Sequence, residues 1–316
     1  MKVLSKNLLS SAILLALCTG PFISCSKSSD EPADTMPKTI TEIVSTNNDF
    51  SFLRSAVVKA NLATTLSGTG PFTVFAPSNV AFSASGISSS TIESLTPAQL
   101  SDILLYHTVG AKVMAADVPA GPNAAVATAG GGTVYVTKNS NGVFVNGWEV
   151  TTADIPASNG VIHSIEQVLM PPAGNLVELA VGNSNLTYLV AAVLRASEGT
   201  TNVADVLTSD GPFTVFAPTN EAFIAAGFPT IESIQAADPN TLTSILTYHV
   251  LSARAFSSDL ADGQSLTTIN GGTITVGLGT SATVKGSSNP SPSTITAVNI
   301  MATNGVVHLI DRVLLP

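Results

Sequence analysis

The sequence predicts an α+β protein built from two tandem copies of one domain, each with its helices ahead of its strands. Three observations predict it. The stretch G-P-F-T-V-F-A-P-S-N-V-A-F, Gly70 to Phe82, returns as G-P-F-T-V-F-A-P-T-N-E-A-F, Gly211 to Phe223. Two more landmarks recur in the same order. L-L-Y-H (Leu104 to His107) is answered by L-T-Y-H (Leu246 to His249), and N-G-V-I-H-S-I-E-Q-V-L-M-P (Asn159 to Pro171) by N-G-V-V-H-L-I-D-R-V-L-L-P (Asn304 to Pro316). The offsets between these positions, 141, 142 and 145 residues, are nearly constant and span a whole domain, which marks a duplication and not a solenoid. Within each copy, helical spacing gives way to strand alternation with no βαβ order, the pattern of an α+β fold.

The elements follow in chain order. Phe52 to Leu66 places apolar residues at helical spacing and is expected to form one amphipathic helix. P-F-T-V-F-A-P, Pro71 to Pro77, is a short β-branched and aromatic strand bounded by prolines. Ser78 and Thr219 then sit where a helix N-cap belongs. Thr96-Pro97 opens a helix running to Tyr106, with proline at its first position. Gly131 to Gly147 reads as two strands joined at a turn containing Asn141-Gly142. Asn159-Gly160 turns into a closing strand, Val161 to Leu169. The largest difference between the copies, K-G-S-S-N-P-S-P-S-T at Lys285 to Thr294, is expected to be a surface loop.

The N-terminal segment differs from all of this. Lys2 and Lys6 precede an apolar run, Leu8 to Phe22, that is too short and interrupted for a comfortable membrane span and has the form of a secretory leader. It ends F-I-S-C, Phe22 to Cys25, followed by S-K-S-S-D-E-P. This resembles the lipobox of bacterial lipoproteins, which implies cleavage before Cys25, lipidation of Cys25 and anchorage to the outer membrane or cell surface, with the periplasmic face as the other possibility. The expected organisation is a lipoprotein signal peptide (1–24), a flexible Ser/Asp/Pro/Thr-rich tether (25–37), domain 1 (38–172) and domain 2 (173–316).

Composition narrows the function classes. The 316 residues suffice for two cores, and 45% hydrophobic with 10% charged residues argues against disorder. The net charge is −9 and no Lys/Arg cluster follows Lys6, so no nucleic-acid partner is expected.

The ordered set F-T-V-F-A-P-[ST]-N, then Y-H, then V-N-G, then N-G-V-[IV]-H-x-[IV]-[DE]-x-V-L resembles the fasciclin-like (FAS1) domain family over about Lys38 to Pro316. The resemblance implies a β-wedge or sandwich of about seven strands with several helices in each copy. It also implies extracellular adhesion through protein or polysaccharide partners. The copies depart from the pattern in three places: Trp148 follows V-N-G, the second copy has V-K-G plus the Ser/Pro stretch, and Asp154 becomes Asn299.

Candidates for chemistry are few. The four histidines, His107, His163, His249 and His308, all lie on repeated landmarks. A catalytic zinc wants three protein ligands, and the chain's only cysteines are Cys18, inside the leader, and Cys25; neither a metal nor a cofactor is expected. The Tyr-His histidines are expected to end a helix and bond backbone or a buried partner. The family resemblance adds a second role, since its Tyr-His segment has been linked to receptor contact, which makes Tyr106, His107, Tyr248 and His249 candidate interaction residues. Trp148, the single tryptophan, is either an exposed contact platform or packing. No G-x-S-x-G occurs, and Gly130 to Gly132 and Gly271-Gly272 precede strands and not helices, so they do not form a phosphate cradle. The acids, among them Glu93, Asp102, Asp117, Glu149, Asp154, Glu166, Glu232, Asp259, Asp262 and Asp311, are scattered and suit solvated surface or turn capping. No catalytic residues are assigned. The expected function is a non-catalytic, lipid-anchored adhesion or interaction protein; the alternative, a carrier of a small apolar ligand or pigment, requires a sizeable apolar pocket.

Overall fold

A computed structural model describes residues 37–316. The expected leader, Cys25 and the tether up to residue 36 lie outside the described residues. The first domain runs α1 (Ile40–Thr46), α2 (Ser51–Lys59), α3 (Ala63–Leu66), β1 (Phe72–Pro77), α4 (Asn79–Ala84), α5 (Ser89–Ser94), α6 (Pro97–Tyr106), β2 (Thr108–Val109), β3 (Gly121–Ala127), β4 (Thr133–Asn139), β5 (Gly142–Val145), β6 (Trp148–Ala157) and β7 (Gly160–Ile165). The second repeats the series as α7 (Leu176–Val181), α8 (Thr187–Ala196), α9 (Val203–Thr208), β8 (Phe213–Pro218), α10 (Asn220–Ala225), α11 (Ile231–Gln235), α12 (Pro239–Tyr248), β9 (Val250–Leu251), β10 (Ser265–Thr267), β11 (Thr273–Leu278), β12 (Ala282–Gly286), β13 (Ser293–Ala302) and β14 (Gly305–Ile310).

Each domain holds one seven-stranded sheet, in the orders β2-β1-β7-β6-β5-β4-β3 and β10-β11-β12-β13-β14-β8-β9. The first and last long strands pair in parallel, Phe72 opposite Gly160 through Pro77 opposite Ile165, and β8 pairs with β14 in the same way. The remaining pairs are antiparallel. Periodicity identifies strands but not their neighbours, so this parallel pair was not legible in the sequence.

The sheet folds over into the expected wedge because β6 carries two register shifts around Asp154, which takes φ +60°. Bulges of this kind bend a strand and sharpen its twist. Phe75 of β1 and Ile165 of β7 thereby face Val134, Val136 and Val145 of the other half-sheet. On the opposite face Val74, Ala76 and Ile162 meet Leu53, Val57 and Leu104 of the helices. Neighbouring residues of one strand thus serve two cores, as strand alternation requires. β8 does the same, with Val215 and Ala217 toward the helices and Phe216 toward the sheet core.

Local signals account for the element ends. Ser78 and Thr219 accept from the N–H groups of Ala81 and Ala222 and cap α4 and α10. Thr96 and Gln99 form a reciprocal capping box at α6, with Pro97 in the first turn. Two expectations need correction. The helix expected over Phe52 to Leu66 is two helices, because Asn61 adopts φ +57°, a left-handed conformation that Asn tolerates and that ends a helix. The Lys285 to Thr294 stretch is more than a surface loop: Lys285 and Gly286 finish β12, and Asn289 and Ser293 are buried. Asn289 Nδ2 donates to Val313 O at 2.9 Å and its Oδ1 accepts from Leu315 N at 2.8 Å, tying the insertion to the C-terminal segment.

Candidate functional site

The Tyr-His pairs end α6 and α12, where the last helical carbonyls lack intrahelical partners. His107 Nδ1 donates to Ile103 O at 2.8 Å, and its Nε2 accepts from Leu169 N at 2.9 Å. His249 repeats this with Ile245 O and Leu314 N, both at 2.8 Å. Each ring is therefore a neutral clip between a helix end and the segment that leaves the last strand. Burial drives the imidazole pKa of each down to about 4. The tyrosines point to the sheet core. Tyr106 Oη donates to Thr133 O at 3.0 Å, Tyr248 Oη to Thr273 O at 2.5 Å, and burial pushes the Tyr106 phenol up.

The candidate interaction role of these four side chains is corrected by this geometry. Tyr106 and His107 are each 2% exposed, Tyr248 0% and His249 1%, so none offers a surface to a partner of the folded domain. Trp148 is half-buried and packs against the sheet core of the first domain.

His163 and His308 are clips of the opposite tautomer. Their Nε2 atoms donate to Val113 O at 2.8 Å and Ala255 O at 2.9 Å, and their Nδ1 atoms accept from the backbone N of Asp154 and Asn299. They stack on Phe75 and Phe216, and burial lowers His308 to about 4. Among the described residues no three His, Cys, Asp or Glu side chains come together in a metal-binding group. Several acids cap turns: Asp117 accepts from Met114 N, Glu166 from Glu149 N, Asp262 from Leu278 N and Asp311 from Thr294 N.

The departures between the copies turn out to be geometric. Asn146 of V-N-G is buried, donating to Tyr106 Oη at 3.0 Å and accepting from Tyr135 N at 2.8 Å. Lys285 replaces it in the second copy, where the backbone N of Ser287, from the insertion, donates to Tyr248 Oη instead at 2.9 Å. Asp154 accepts from Ala115 N at 2.9 Å; Asn299 keeps the equivalent bond, to Ser257 N at 2.8 Å. Its amide then does what a carboxylate cannot: Nδ2 donates to Gly147 O, in the other domain, at 3.2 Å. Gly147 has φ +80°, and a Cβ there would lie 2.6 Å from that amide nitrogen, so the close approach demands glycine. Around this bond Asn123 Nδ2 donates to Arg254 O at 2.8 Å and Thr137 Oγ1 to Asp259 Oδ1 at 3.1 Å, while the Arg254 guanidinium lies 3.9 Å from the Tyr135 ring centroid. This domain contact was missed in the sequence, although the Asp154/Asn299 difference was its signal.

One more feature separates the copies. A cleft between the leading helices and the first strand is present in both domains, and every residue lining it in the first has its counterpart lining it in the second. The cavity is about 40 Å³ in the first domain and about 140 Å³ in the second.

Comparison with known proteins places this geometry. The Fasciclin domain model matches residues 48–171 and 185–316. Transforming growth factor-beta-induced protein ig-h3 of Sus scrofa is 31% identical over 256 residues, 79% of this chain and 35% of that protein. Protein sll1483 of Synechocystis sp. is 45% identical over 138 residues, 42% of this chain and 74% of that protein. The chain thus spans about a third of the length of ig-h3. The solved structure of a FAS1 domain pair from the insect cell adhesion molecule Fasciclin I is similar at 19% identity and a TM-score of 0.43, covering 87% of this chain and 96% of that one. With both halves matched by the same model, the chain belongs to the fasciclin family.

Proposed function

We propose that the protein is a secreted, lipid-anchored surface protein whose two fasciclin domains mediate adhesion or another extracellular contact with protein or polysaccharide, without catalysis. The observation that carries this reading is the fasciclin match over both domains. It is supported by the commitment of all four imidazoles to backbone partners, which leaves them no part in acid–base work. Membrane attachment rests on the lipobox-like F-I-S-C and on Cys25, through a tether over 25–37. Among the described residues no helix is long and apolar enough to cross a membrane. The Tyr-His side chains being buried, partner contact belongs to surface loops where the two copies differ.

A binding screen of Lys38–Pro316 against glycans, matrix proteins and whole cells tests the reading. Saturable binding to one class is expected, and silence across all of them beside a tightly held chromophore or lipid would sink it. For the anchor, fatty-acid labelling of the parent protein should vanish in Cys25→Ser. A pigment carrier is disfavoured by size, because 140 Å³ holds a group of only about six to eight carbons.

A further inference from the structure

Independently of adhesion, we propose that the cavity of the second domain, between α7, α8, α9 and β8, binds one unbranched aliphatic chain, an acyl tail whose head group stays outside. The argument comes from the duplicated site itself. In the first domain Thr41, Ser45, Arg54 and Thr108 stand among the lining residues. Thr41 Oγ1 donates to Ala63 O at 3.2 Å, and Arg54 Nη1 to Ser45 O at 2.7 Å, so these groups stitch the helices together across the cleft. Their counterparts in the second domain are Val177, Val181, Val190 and Val250. Matching hydrogen bonds fix the alignment: Ile40 N and Leu176 N donate to Asn159 and Asn304, while Phe52 N and Tyr188 N donate to Asn79 and Asn220.

Four of the five polar positions of the shared cleft have thus become valine, His107 alone persisting as His249, and the cavity has grown more than threefold by volume. Packing alone would favour closing it, as the first domain does. The remaining polar side chain in the wall, His249, has both ring nitrogens committed to Ile245 O and Leu314 N and offers no free donor or acceptor. A polar ligand would be stranded there without partners. The wall is almost wholly aliphatic, with Phe216 its one aromatic hydrocarbon side chain, which suits a chain of methylenes and gives no stacking platform for a ring. At the mouth Val181 and Leu194 stay 64% and 62% exposed, an apolar rim over which a longer tail can leave the cavity.

The test titrates the full-length protein with octanoate, with butanoate as the short control and dioctanoyl phosphatidylcholine below its micelle concentration as the lipid arm. Methyl NMR of valine and leucine and the melting temperature are the readouts. Saturable shifts at Val181, Val190 and Leu194 with octanoate or the lipid, and none with butanoate, are expected; a response to one arm alone identifies the free acid or the lipid as the source of the tail. Val190→Arg, which restores the first domain's residue, should weaken binding about tenfold or more. Ala180→Phe fills the same space without charge and decides the matter should Val190→Arg not fold. Absence of saturable binding in both arms, or equal binding by a folded filling variant, overturns the proposal.

Discussion

A histidine with both ring nitrogens committed to backbone partners can take up a proton only by breaking one of those bonds. His107, His249 and His308 are in that position, buried and held at about 4. Unfolded, the same side chains titrate near 6.5. As pH falls below 6.5 the unfolded chain binds protons that the folded chain refuses, so stability drops until the folded pKa is reached. Between pH 7 and pH 5 each of the three should remove about 2 kcal/mol. Urea unfolding at the two pH values checks this, and a midpoint that does not move would contradict buried neutral rings. His107→Ala and His249→Ala should each cost about 2–4 kcal/mol, since each leaves a buried backbone N–H, that of Leu169 or Leu314, unpaired beside a void. Unchanged melting of either variant refutes the clip. The sequence showed that these histidines recur in register, but not that they are inaccessible: Tyr-His looks the same in a string whether it faces water or a core.

For individual elements, the sequence was informative wherever the cause was local. The caps at Ser78, Thr96 and Thr219 depend on residues three positions apart, and each is where the string places it. The break at Asn61 was missed because the helical apolar spacing continues across it, and a single left-handed residue overrides that spacing. The contact of Asn299 with Gly147 lies beyond local reasoning, since its partners are 152 positions apart. It yields a sharp prediction. Asn299→Asp keeps the acceptor for Ser257 N but removes the donor to Gly147 O and sets a carboxylate against a carbonyl. The two domains should then lose their coupling, seen as a broadened or split thermal transition and a larger radius of gyration in solution scattering. One unsplit transition with an unchanged radius would show that the amide is dispensable.

At the scale of the whole molecule the duplication was the most legible feature, because three landmarks at near-constant offset are independent of any structural detail. The seven-stranded wedge followed from the family resemblance, while the parallel closure of β1 on β7 came only with the structure. The cavity was invisible for a different reason. Four valines at helix and strand positions read as ordinary core, and their meaning appears only when they are laid over the polar residues of the other copy. Function is less legible still, since most of the shared motif is spent on folding.

The buried insertion has a consequence of its own. In the first domain the Gly147 turn receives the second domain, whereas a Cβ at its counterpart, Gly286, would lie 2.5 Å from Asn289 and from the Leu315 carbonyl. The second copy therefore plugs its own socket. A head-to-tail joint between like units propagates indefinitely unless something stops it. Here Asn289 and Leu315 fill the place beside Gly286 that stands open beside Gly147, so the second copy cannot receive a like domain through that turn.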